Sequence, residues 1–87
     1  MISLAAGPKH GYAMQDDIAE LVGERPGPGT LYGAIRRLEE HEYIKALPDQ
    51  DRRKPYRLTD IGRAALNVEL QRMRAVAGTG LRRLAVA

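Results

Sequence analysis

No cysteine occurs among the 87 residues, which excludes disulfides and thiolate metal sites. Two well-separated histidines, His10 and His41, are too few for a histidine-based zinc centre. No metal and no cofactor is therefore expected. Ser3 is the only serine and lies in an apolar opening segment, so no serine–histidine–acid set is in view. A glycine loop of the phosphate-cradling kind is also missing, and the acids are scattered over helix surfaces. An enzyme is not expected. No apolar run approaches the roughly 20 residues of a membrane span, and the N-terminus lacks a basic region followed by an apolar core. The expectation is a soluble, cytoplasmic protein without a membrane partner.

The length allows one small fold, of the size often stabilised by association. Net charge is +3, weak evidence for nucleic acid by itself. Its distribution is more informative. Residues 1–34 carry two basic and four acidic side chains, residues 35–60 seven and six, and residues 61–87 five and one. Within the middle segment Arg52, Arg53 and Lys54 are contiguous and Arg57 follows. Glu39, Glu40 and Glu42 gather at the far end of the helix before them. DNA would be repelled by that end and drawn to the start.

Met1–Ala6 reads as a short apolar helix stopped by Gly7-Pro8. A second helix is expected over 11–22, with Tyr12, Ile18, Leu21 and Val22 on its buried side, Met14 or Ala19 beside them, and Gly23 ending it. Pro28 suits the first turn of a third helix, over 28–42, with Gly27 as its cap. Leu31, Ala34, Ile35 and Leu38 recur at three- and four-residue spacing and form its packing face. Tyr43–Leu47 and Tyr56–Leu58 read as two strands joined by the turn PDQDRRK, with Pro55 at an edge position. Thr59 should cap a last helix over 60–77, which Gly78-Thr79-Gly80 would end. The fold class is thus mainly α with a small β-hairpin: a winged helix-turn-helix, residues 1–59, followed by a dimerisation helix and tail, residues 60–87.

A helix followed at once by a basic hairpin suits duplex DNA: the helix enters the major groove and the wing follows the backbone or minor groove. Arg36 and Arg37 lie opposite the packing face of helix 28–42, with Thr30, Tyr32 and Gly33. Arginine matches guanine edges and phosphate forks; a solvated face paired with Glu39, Glu40 or Asp60 is the plainer account. Tyr32 suits either a phosphate contact or packing on the hairpin. Lys9 and His10 precede a helix start, where a phosphate can be met; His10 also suits a simple helix cap. Arg52, Arg53 and Lys54 suit a wing with salt-dependent attraction to any duplex, tempered by Asp49 and Asp51. The competing reading is a winged helix that binds an acidic protein through Tyr32 and Arg36, without specific DNA binding.

The last helix carries more apolar positions than one wing domain can cover. Ile61, Ala64, Ala65 and Val68 mark one side; Leu66, Leu70, Met73 and Ala77 mark an overlapping one. The surplus points to a second copy, with Ile2, Leu4, Leu66, Leu70, Met73 and Ala77 as the contact. The alternative is a helix that folds back over its own wing domain.

The runs GPKHGYAMQDDI, GTLYGAIRRLEEHEYI and RRKPYRLTDIGRAAL, in this order, resemble the PadR-like transcriptional regulators over about residues 1–77. The resemblance implies that Tyr32 lies in the recognition helix and approaches DNA, and that the segment from Lys9 to Tyr12 leads into the helix before it. Arg52–Lys54 match the basic wing. Thr59, Asp60, Ile61 and Gly62 open the helix through which such proteins dimerise. It implies a homodimeric repressor of double-stranded DNA, often relieved by a small aromatic or lipophilic molecule. The opening helix is abbreviated relative to the family, and the part after the wing is short, as in its compact branch. Tryptophan is absent, which removes the aromatic slab that some compact members use for flat ligands and weakens the implied effector.

Overall fold

The computed structural model describes residues 1–86. Their order is α1 (Ile2–Ala5), β1 (Lys9–His10), α2 (Gly11–Val22), α3 (Pro28–Glu40), β2 (Ile44–Ala46), β3 (Pro55–Leu58) and α4 (Asp60–Val86). Four helices and a small antiparallel sheet pack around Leu4, Met14, Leu31, Ile35, Ile44, Tyr56, Leu58 and Leu66, all buried. The mainly helical class, the hairpin wing and the long last helix are therefore as expected.

Each helix boundary has a local cause. Gly23 takes φ 77° and its amide donates to the Ala19 carbonyl, closing α2 in the left-handed conformation that glycine adopts freely. Gly27 caps α3 and Pro28 occupies its first turn. At the far end of α3, Glu42 N–H donates to Glu39 O at 2.9 Å and Tyr43 N–H to Leu38 O at 2.9 Å. This Schellman pattern places Glu42 at φ 62°, where a side chain is disfavoured. Glu42→Gly should therefore raise stability by about 1 kcal/mol. Urea denaturation checks it; a lower midpoint would contradict the strain.

The sheet has one strand more than the hairpin. Its order is β1-β3-β2, with Lys9 opposite Tyr56, His10 opposite Pro55 and Ile44 opposite Leu58. Pro55 thus opens the central strand and does not lie at an edge. Its carbonyl accepts the Leu47 amide at 2.9 Å, and the first residue of a strand is where a missing donor is tolerated.

On α2 the buried positions are Gly11, Met14 and Gln15, with Ile18 packed beside the core. Tyr12, Leu21 and Val22, expected on the buried side, are 63%, 55% and 70% exposed. Tyr12 points off to the flank of the core face. The four residues of α1 cover little of α2, so Leu21 and Val22 line an open apolar recess of about 390 Å³ between α1, α2 and α3.

The last helix departs furthest from expectation. It runs from Asp60 to Val86 through Gly78-Thr79-Gly80 without a break. Neither glycine has positive φ, so the pair weakens the helix, by roughly 1 kcal/mol per glycine relative to alanine, without ending it. Only Gly62 and Leu66 of α4 are buried. Leu70, Met73, Val76, Leu81 and Leu84 are exposed. Leu4 and Leu66, expected at a contact with a second copy, are 3% and 7% exposed and belong to the core of their own chain. They anchor the first and last helices to the domain instead.

Candidate nucleic-acid interface

The angle between α2 and α3 depends on the linker Glu24–Gly27. Gln15, a polar residue on the buried face of α2, donates from Nε2 to the Pro26 carbonyl at 2.9 Å. Arg25 pairs with Asp16 and lies over the Tyr12 ring, 5.0 Å from its centroid. Together they tie the linker back onto α2 and orient α3. Periodicity alone gave no sign of Gln15; the only signal was an amide on an otherwise apolar face.

Oriented in this way, α3 turns Leu31 and Ile35 into the core and exposes Thr30, Tyr32, Arg36 and Arg37. Helical spacing puts Tyr32 and Arg36 one turn apart on one strip, and Gly33 and Arg37 on the next. An added Cβ on Gly33 would meet only the Arg37 guanidinium, at 3.7 Å. That strip is free of bulk.

Tyr32 makes the junction with α2. It is half exposed, and its hydroxyl lies so close to Gly11 that a Cβ there would be 2.5 Å from it. The ring thus packs in part, on the start of α2, and the rest of it meets solvent. Gly11 is the residue that allows the close approach.

The wing tip meets the same junction. Gln50 and Arg53 exchange both backbone hydrogen bonds, each 2.8 Å. Between them Asp51 and Arg52 take φ 48° and 64°, a two-residue turn of the primed type that matches strand twist. Such turns usually carry Asn-Gly or Asp-Gly, so Asp-Arg hid it. The turn brings Arg52, Arg53 and Lys54 to a recess of about 250 Å³ shared with His10, Tyr32 and Tyr56. Burial, and after it the charge of Glu39, pushes the Tyr56 phenol above its ordinary pKa, so it stays neutral.

Of the expected DNA-contact residues, the fold therefore gathers His10, Tyr32, Arg52, Arg53 and Lys54 around one recess. Thr30, Gly33, Arg36 and Arg37 continue from it along α3. Lys9 departs from the group: its ammonium donates to the Ser3 carbonyl. A helix as short as α1 leaves carbonyls without intrahelical partners, and Lys9 satisfies one of them. His10 does cap α2, accepting the Ala13 amide at Nδ1 over 3.3 Å. Tyr12, Gly11 and Tyr56 were not expected at the site; β1, the unforeseen strand, is what brings them there.

Known proteins share this architecture. A PadR-family transcription regulator of Clostridium difficile R20291 is 25% identical in sequence, with a TM-score of 0.81 over 95% of this chain and 91% of its own. A PadR-family regulator from Eggerthella lenta is 35% identical, with a TM-score of 0.67 over 84% of this chain and 68% of its own. An uncharacterized 37.1 kDa protein in transposon TN4556 of Streptomyces fradiae is 41% identical over 78 residues. The chain spans 23% of that curated relative's length and 90% of its own. The model of the PadR-like transcriptional regulator family matches residues 1–68. With the fold and the sequence in agreement, the chain belongs to the PadR-like family of winged helix-turn-helix transcriptional regulators.

Proposed function

We propose that the chain binds double-stranded DNA sequence-specifically as a homodimer and acts as a repressor. The observation that carries this reading is the convergence of α3, the start of α2 and the wing tip on one basic surface. Tyr32, Arg36 and Arg37 supply α3's reach into a major groove, with Thr30 and Gly33 leaving room for the backbone. Arg52, Arg53 and Lys54 supply the sequence-independent attraction. The exposed face of α4 supports the dimer. Leu70, Met73, Ala77, Gly80 and Leu84 recur at alternating three- and four-residue steps, the spacing of a helix-pairing seam. The seam starts one turn beyond the core anchor Leu66 and lies in solvent. Two copies joined along it would present two recognition helices to paired half-sites. For the small lipophilic or aromatic effector that the family resemblance implies, the apolar recess between α1, α2 and α3 offers about 390 Å³.

Mobility shift with DNA upstream of the gene, against excess unrelated duplex, tests the reading. A competitor-resistant complex is expected. Arg36→Ala and Arg37→Ala should each keep the fold, because both side chains are exposed, and at least one should weaken the specific complex by about 1–3 kcal/mol. Neutralising Arg52, Arg53 and Lys54 together should instead weaken all duplexes alike and flatten the dependence of affinity on salt. A wild type that shifts no duplex at moderate salt would favour an acidic protein partner.

A further inference from the structure

The His10 ring faces two donors at once. The Ala13 amide donates to Nδ1 at 3.3 Å, and Arg53 Nη1 stands 3.2 Å from Nε2. A backbone amide and a guanidinium never act as acceptors, and a neutral imidazole has only one acceptor nitrogen. The ring can cap α2 or receive Arg53, but not both. When it caps, Nε2 bears hydrogen and points at the guanidinium, donor against donor. An anionic oxygen seated beside the pair, accepting from Nε2–H and from Arg53 together, would resolve the conflict. Among the described residues no carboxylate lines the recess; Arg52 and Lys54 add positive charge, and Tyr12 and Tyr32 add hydroxyls.

We propose that His10 and Arg53 are the two jaws of a clamp for one phosphate group. The DNA form of this proposal rests on the function proposed above, with a backbone phosphodiester as the occupant. The clamp links the wing tip to the start of α2. Seating a phosphate fixes the ring in the tautomer that caps α2, and it locks the wing tip against the start of that helix. His10 is then a sensor of DNA contact as well as a cap, and Arg53 differs from its neighbours in acting through a shared anion.

Two variants separate these roles. His10→Asn keeps a side-chain oxygen able to cap α2 but removes the ring donor. Arg53→Gln removes the charge. Each should reduce affinity for duplex DNA about tenfold, the worth of a charge-assisted hydrogen bond. Arg53→Gln should also lower the salt slope by about 0.9. Because both hold the same phosphate, the double variant should lose little more than the worse single one. Nitrogen-15 spectra of the His10 ring provide the direct readout, recorded with duplex and separately with inorganic phosphate. A shift to a single Nε2–H tautomer on adding duplex is expected. A response to inorganic phosphate but not to duplex would leave the clamp standing and remove the DNA reading. Response to neither, or strictly additive losses in the two variants, would overturn the clamp.

Discussion

Gly62→Ala is expected to destabilise the domain by about 3 kcal/mol or more, a large share of the roughly 4–13 kcal/mol expected of a chain this long. Gly62 lies in the first turn of α4, where the helix passes over the backbone of Tyr43, just before β2. An added Cβ would stand 2.0 Å from the Tyr43 carbonyl oxygen, 2.8 Å from its carbon and 3.0 Å from Leu58 Cδ1. The first two are backbone atoms and cannot swing aside. They are also held in place by the capping residue of α4. Thr59 N–H donates to Tyr43 O at 3.0 Å, its hydroxyl contacts Glu42 O at 2.7 Å and Tyr43 O at 3.0 Å, and it accepts the Gly62 amide at 3.0 Å. Alanine would force α4 off this anchor and lift Leu66 from the core. Gly78→Ala is the contrast: its Cβ would meet only the end of the Arg82 side chain, at 3.3 Å, and a helical glycine-to-alanine change should add roughly 1 kcal/mol. Urea denaturation of both variants decides between position and residue type. A Gly62→Ala midpoint equal to wild type would show that α4 does not depend on the close approach.

Replacing Leu70 and Met73 together with aspartate should convert the proposed dimer to a monomer and reduce operator affinity about 100-fold or more, because linked half-sites lose their avidity. Leu70 is 38% and Met73 53% exposed in the single chain, so the change removes little from the protomer's own core. Burying each side chain against a second copy would contribute roughly 1.5–3 kcal/mol, and two buried carboxylates would add a desolvation penalty. The protomer itself should stay folded, since the anchors Leu66 and Gly62 lie a turn or more earlier. Sedimentation equilibrium at micromolar concentration measures the assembly. A double variant that stays dimeric would move the contact elsewhere, and a monomeric wild type would remove the dimer from the mechanism.

The helices α2 and α3 and the two hairpin strands were legible because their signals are local. Pro28, Gly23 and Thr59 act within a few residues of where they stand, and the Leu31–Ile35–Leu38 spacing selects one face of α3 without reference to anything distant. The exposure of Arg36 and Arg37 follows from the same spacing. Sequence also carried the family, through motifs whose order is covalent.

Tertiary structure decided the rest. Two residues, Lys9 and His10, have no strand pattern of their own; they become β1 only because β3 offers an unpaired edge, and that pairing draws His10 to the wing and Lys9 to α1. Burial of Met14 and exposure of Leu21 depend on how far α1 reaches, which no local period encodes. The glycines at 78 and 80 read as a stop because glycine is the commonest one, yet a stop requires positive φ, and the backbone of α4 stays helical through both. Leu66 and Leu70 look equivalent along the chain. The ends of the wing domain place one in the core and leave the other in solvent, because only a helix longer than the domain beneath it can be both anchor and unpartnered face.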